Sequence, residues 1–180
     1  ISACLVGSEM CIRDRRYSWT AQVEKLTQIK MLNYGVCGDC CDDIIYRMRQ
    51  YALPEYVQHV IFLGGANDIL QGRRLEDISR DYKRVLEWCE EKQYSLCVVL
   101  PFISTEQALN RHLLNLRQEA EHICGGKAFL LDLQPAIGLD AGARFKAYVD
   151  GIHPKSQTYE AMGNYAAPLI WQWLKEEKEA

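Results

Sequence analysis

No apolar run in this 180-residue chain reaches the roughly 18 to 20 residues needed to cross a bilayer, which excludes a helical membrane span. The opening residues also lack the basic start and apolar stretch of a signal peptide, so a cytoplasmic protein is expected. Because the chain opens inside an apolar segment, ISACLV, export stays open. Positive charge is neither in excess nor clustered: 21 Lys and Arg stand against 24 Asp and Glu, for a net charge of -3. Neutralising phosphates takes a clustered basic face, so nucleic acid is not an expected partner. The densest basic stretch, Arg13 to Arg16, holds Asp14 inside it and reads as a solvated turn. Internal repeats, low-complexity segments and linkers are all missing, and residues 1–180 are read as one domain.

The eight cysteines do not form a metal-site pattern. The CGDCC run at Cys37, Cys40 and Cys41 has C-x-x-C spacing, which suits a redox pair or half a zinc site. A tetrahedral site needs four ligands, and no second C-x-x-C or H-x-x-x-H completes it, so no metal is expected. Cys97 lies in an apolar run, and Cys89 and Cys124 lie in helical patterns; these read as small buried thiols. Free thiols in a reducing compartment account for the set.

What is present is an alternation of strands and helices. Apolar runs at Ile1 to Val6, Met31-Leu32, Val57 to Leu63, Leu96 to Leu100 and Ala128 to Leu133 read as strands. Between them, helical spacing appears over Trp19 to Ile29, Cys40 to Tyr51, Leu75 to Cys89 and Thr105 to Cys124, with a last helix over Ser156 to Lys175. Asp39 is the expected N-cap of the second helix. The strands are apolar throughout rather than at every second residue, which implies a parallel sheet covered on both faces. The expected fold is therefore α/β: a three-layer α/β/α sandwich with a flavodoxin-like sheet of about five strands. Leu133 to Val149, with Pro135, Gly138 and Gly142, is expected to be a long loop with at most a short turn.

Two stretches carry the chemistry. Val60 to Leu63 runs straight into Gly64-Gly65-Ala66-Asn67-Asp68, a buried strand ending in a glycine-permitted turn that displays an amide and a carboxylate. The plainer reading is a turn whose Asn and Asp bond their own backbone. Asp150-Gly151-Ile152-His153-Pro154 brings a carboxylate and an imidazole three residues apart, able to orient one ring nitrogen and leave the other free as a base. It too reads equally as a locally capped turn. His59, His112 and His122 read as surface or boundary residues.

In a parallel sheet, Ser8 after the first strand, Gly38 after the second, Asn67 after the third, and Asp150 with His153 before the last helix converge on one edge. Ester hydrolysis needs a hydroxyl nucleophile, a base, a group to hold that base, and donors for the oxyanion. Those residues fill all four roles.

The pieces NYGVCGD, GGAND and DGIHP, in this order and spacing, resemble the second, third and fifth blocks of the SGNH hydrolases, also called GDSL esterases and lipases. The resemblance spans essentially the whole chain. It implies Ser8 as nucleophile, the Gly38 N–H and the Asn67 side chain as oxyanion donors, His153 as base oriented by Asp150, and a cofactor-free mechanism through an acyl-enzyme. The first block departs from the family, which usually reads Gly-Asp-Ser-Leu where this chain has Val6-Gly7-Ser8-Glu9-Met10. Ser8 to Arg15, SEMCIRDR, resembles translated sequencing-adaptor read-through. The expected function is a serine esterase acting on small-molecule esters of short acyl groups, acetyl groups on sugars among them. The alternatives are a lysophospholipase or thioesterase, or a binding domain of this fold disabled by its first block. The sequence assigns no oligomeric state.

Overall fold

Five strands form one parallel sheet: β1 (Ser2–Gly7), β2 (Lys30–Asn33), β3 (His59–Leu63), β4 (Ser95–Val99) and β5 (Phe129–Leu131), in the order β2-β1-β3-β4-β5. They are seen in a computed structural model that describes residues 2–7, 18–50 and 52–179. Eight helices connect and cover them in the described residues: α1 (Trp19–Thr27), α2 (Cys41–Gln50), α3 (Ala66–Leu70), α4 (Leu75–Glu91), α5 (Gln107–Cys124), α6 (Gln134–Ile137), α7 (Ala141–Ala147) and α8 (Ser156–Glu179). The order is the flavodoxin-like one, with its reversal between β1 and β3, as expected from the strand pattern.

The unbroken apolar strands have a direct cause in the packing. On β3, Val60 and Phe62 enter one core with Cys41, Ile44, Ile78, Tyr82 and Leu116, drawn from α2, α4 and α5. The residue between them, Ile61, enters the other with Trp19, Val23, Met162, Ala166 and Ile170, drawn from α1 and α8. β4 divides the same way, Val98 to the first core and Cys97 with Val99 to the second. A strand buried on both faces favours apolar side chains at successive positions, as at 60–62 and 97–99.

Three local expectations are corrected. Residues 133–149 are not mainly loop but hold α6 and α7. The apparent breakers sit where helices accept them: Pro135 lies in the first turn of α6, Gly138 at its C-terminal cap, and the Asp140 carboxylate caps α7 by accepting from the Ala143 N–H at 2.8 Å. Asp39 does not cap α2; its carboxylate accepts from Arg47 Nε at 2.7 Å. His59 is buried rather than at the surface, edge-on to Trp173 with ring centroids 5.3 Å apart. His112 and His122 are exposed, and the Cys89, Cys97 and Cys124 thiols are buried.

Candidate active site

The carboxyl ends of the strands meet at a cleft of about 90 Å³ walled by Trp19 of α1, Leu63 at the end of β3, Asn67 and Leu70 of α3, Phe102 beyond β4, Ile152 and His153, and Tyr159 of α8. This is the crevice where open α/β sheets bind ligands, beside the strand-order reversal. Asn67 and His153, 86 positions apart in the chain, face the same space.

Asp150 and His153 are built into a tightly specified turn. Val149 N–H donates to the His153 carbonyl at 2.7 Å, and Thr105 N–H donates to the Gly151 carbonyl at 2.8 Å, pinning the loop on both sides. Gly151 has φ +91, and a Cβ there would stand 2.3 Å from Thr105 Oγ1, so only glycine fits. Within the turn, the Asp150 carboxylate accepts from the His153 N–H at 2.9 Å and the Ile152 N–H at 3.2 Å, and its second oxygen contacts His153 Nδ1. The side-chain bond to His153 and the two backbone N–H groups hold the Asp150 carboxyl down at about 2. An ionised carboxylate only accepts, so in the neutral ring the proton belongs on Nδ1 and the lone pair on Nε2. Both side chains are partly open to solvent, at 52% and 43%.

The GGAND segment is not an isolated turn. Gly65, at φ +98, is the N-cap of α3, and a Cβ on it would lie 2.6 Å from Leu116 Cδ2. The Tyr82 hydroxyl donates to the Gly64 carbonyl at 3.0 Å, tying the strand end to α4. From α3 the two polar residues part company. Asn67 looks into the cleft, and its amide donates one N–H to the Asp39 carbonyl at 3.0 Å. That bond fixes which way the amide faces. Asp68 turns away, fully buried, and accepts from the Cys41 N–H at the start of α2 at 3.0 and 3.2 Å and from Arg73. The reading of a self-bonded turn is thus replaced by contacts across the chain. Burial pushes the Asp68 carboxyl up, while the Cys41 N–H and Arg73 pull it back.

Gly38 adopts φ +87, with open space where a Cβ would stand. It is not part of the cleft wall; it adjoins Asn67 through Asp39, and its carbonyl accepts from Gln71 Nε2 at 3.3 Å. Ser8 lies outside the described residues; β1 ends on the residue before it, Gly7, paired with Leu63 of the cleft wall.

The thiols and acids beside the cleft do a different job. Cys37 is exposed, whereas Cys40 and Cys41 are buried. Burial, then Asp68, raises the Cys40 thiol to about 11 and Cys41 well above its ordinary value, which disfavours thiolates. Asp42, Asp68 and Asp81 converge closely enough to hold a cation, yet Arg73 bonds all three and already supplies the positive charge. Burial opposes charge on Arg73, but the bond to Asp81 and the fields of Asp68 and Asp42 outweigh it.

Sequence reasoning missed Phe102, Leu70 and Tyr159 as cleft wall and Asp68 as an anchor. Phe102 carried one usable signal, since it follows the Leu100-Pro101 end of an apolar strand. Asp68 carried none, because its partner is 27 residues away.

Residues 6–161 match the family described as GDSL-like lipase/acylhydrolase. No curated protein matches the chain in sequence. Among solved structures, a G-D-S-L family protein of Desulfitobacterium hafniense superposes with a TM-score of 0.81 at 20% identity, over 93% of this chain and 98% of that one. A psychrotrophic esterase of a Pseudoalteromonas species gives 0.75 at 14% identity, over 97% and 98%. An acetylxylan esterase of Geobacillus stearothermophilus gives 0.75 at 15%, over 91% and 90%. These likenesses establish the shared fold, and the family match covers most of the chain from the end of β1 into α8. The chain belongs to the GDSL-like lipase/acylhydrolase family.

Proposed function

We propose that the protein is a carboxylic ester hydrolase acting on short acyl esters, with Ser8 as nucleophile, His153 as base, Asp150 as its orienting acid, and the Gly38 N–H and Asn67 amide as oxyanion donors. The observation that carries this is the pairing of Asp150 with His153 Nδ1 on the cleft that Asn67 also lines. In the forward step, the Ser8 hydroxyl attacks the ester carbonyl as its proton passes to His153 Nε2. The alcohol then leaves with that proton, and the acyl group stays on Ser8. Water, deprotonated by the same nitrogen, releases the acid and restores the serine. Donors fixed before the charge develops are worth about 3 kcal/mol each. A cleft of about 90 Å³ is small beside the roughly 300–1,000 Å³ of sites for drug-sized ligands, which favours acetyl-sized groups. The esterase and acetylxylan esterase of the same fold point the same way, sugar acetates being one substrate class to try. The test is hydrolysis of p-nitrophenyl acetate, expected in the native chain and abolished in Ser8→Ala and His153→Ala. Full activity in either variant would reject the assignment.

A second reading rests on the altered first block, Val6-Gly7-Ser8-Glu9-Met10. It makes the chain a non-catalytic binding domain of the family. A fluorophosphonate probe separates the two: stoichiometric labelling at Ser8 supports the esterase, and an unlabelled, folded protein supports the binding domain.

A further inference from the structure

Hydrogen bonds cross the seam between α3 and the segment that opens α2. Asn67 Nδ2 donates to the Asp39 carbonyl at 3.0 Å, Gln71 Nε2 donates to the Gly38 carbonyl at 3.3 Å, and the Cys41 N–H donates to the Asp68 carboxylate at 3.0 Å. Of these, the bond to Asp68 is the buried one. It is also charge-assisted and sits at a helix N-terminus, where a carboxylate is favoured. A carboxylate buried alone would be costly, and Arg73 offsets that charge. The Arg73 N–H donates to the Asp68 carbonyl at 2.9 Å, closing the turn that returns the guanidinium to its own helix end. The guanidinium then reaches Asp42 of α2 at 2.9 Å and Asp81 of α4 at 2.8 Å.

We infer that Asp68, held by Arg73, is the positioning residue of the candidate oxyanion site: its carboxylate joins the start of α2 to α3 and so fixes the spacing between the Gly38 N–H and the Asn67 amide. Asn67 precedes Asp68 in one helical turn, and Gly38 lies three residues before Cys41, so the bond between 68 and 41 controls both donors at once. Donors that act on a developing charge must be held within about 0.5 Å, and a shift of about 1 Å costs on the order of 100-fold in rate. The kinetic part of this inference rests on the proposed esterase reading; the structural part does not.

The full-length chain and its Asp68→Asn and Asp81→Asn variants are compared by p-nitrophenyl acetate kinetics and by amide hydrogen exchange. Asp68→Asn keeps the volume but removes the charge and turns an NH2 toward Arg73. It is expected to lower kcat by about 100-fold with KM nearly unchanged, because the loss falls on the transition state. It is also expected to speed exchange of the 38–41 amides about tenfold or more. Asp81→Asn removes an ion pair to the same guanidinium away from the seam, and is expected to melt lower while keeping kcat and the 38–41 exchange. If Asp68→Asn does not fold, Arg73→Lys, which keeps the charge and loses the fork, carries the same expectations at smaller size. Unchanged 38–41 exchange in Asp68→Asn, or the same kinetic and exchange changes in Asp81→Asn, overturns the inference. A native chain that fails to hydrolyse the ester defeats the functional reading alone, since the exchange comparison still decides the role of Asp68.

Discussion

At the scale of single residues, the Asp150–His153 turn and Gly38 make separable predictions. Replacing Asp150 by Asn keeps the shape but offers an amide where Nδ1–H needs an acceptor. By analogy with serine-protease triads, kcat is expected to fall by about 10⁴, read by ester hydrolysis. The same pair sets a pH signature. The Asp150 carboxyl is held down from 3.8 to about 2 by its bonds to His153 and the backbone. A depressed acid stabilises the fold above its unfolded value, and that contribution is lost as the pH falls through the folded value. The melting-temperature gap between native protein and Asp150→Asn should therefore hold from neutral pH down to about 4 and close between there and 2. A gap that closes well above pH 4 would contradict the assignment. Gly38→Ala tests conformation rather than space: nothing crowds a Cβ there, but φ +87 strains any other residue by about 1–2 kcal/mol. That variant is expected to fold, to melt slightly lower, and to lose kcat rather than KM if its N–H meets the oxyanion.

At the scale of elements, α1 and α8 close one face of the sheet, and their contact turns on one missing side chain. A Cβ on Gly163 of α8 would stand 2.5 Å from Gln22 Cβ and 2.7 Å from the Trp19 carbonyl. Backbone cannot yield as a side-chain tip can, so Gly163→Ala must push the helices apart. Overpacking of this kind costs about 1–3 kcal/mol, checked by chemical denaturation. Because Trp19 also walls the cleft, the variant should raise KM as well. Legibility in the sequence divides along similar lines. The long elements could be read because strands such as 96–100 are apolar on both faces and helices such as α4 carry a stripe from Leu75 to Cys89, both local signals. The short helices α3 and α6 were hidden because Gly65, Pro135 and Gly138 serve as caps and first-turn residues there, and the same residue types mark loops elsewhere. Candidate site residues were legible where spacing carried them, as in Asp150 and His153. The anchoring of α2 by Asp68 instead of Asp39 was not, because that bond exists only once two distant segments meet.

At the scale of the whole molecule, the cleft is a joint product of α1, the β3–α3 junction, the end of β4, the 150–153 turn and α8, so its size follows from how the layers are assembled. Phe102 is the wall residue whose removal enlarges it most simply, being only partly packed into the second core. With short esters as substrates, Phe102→Ala opens room for a longer acyl chain. Each methylene newly buried contributes about 0.8 kcal/mol, and 1.4 kcal/mol is a factor of ten. Butyrate carries two more methylenes than acetate, so the butyrate-to-acetate ratio of kcat/KM should rise about tenfold in the variant. The native protein should prefer acetate. A ratio that does not move, in a variant that folds and still turns over acetate, would mean that the acyl group lies elsewhere on this sheet edge, with the alcohol portion of the ester against Phe102.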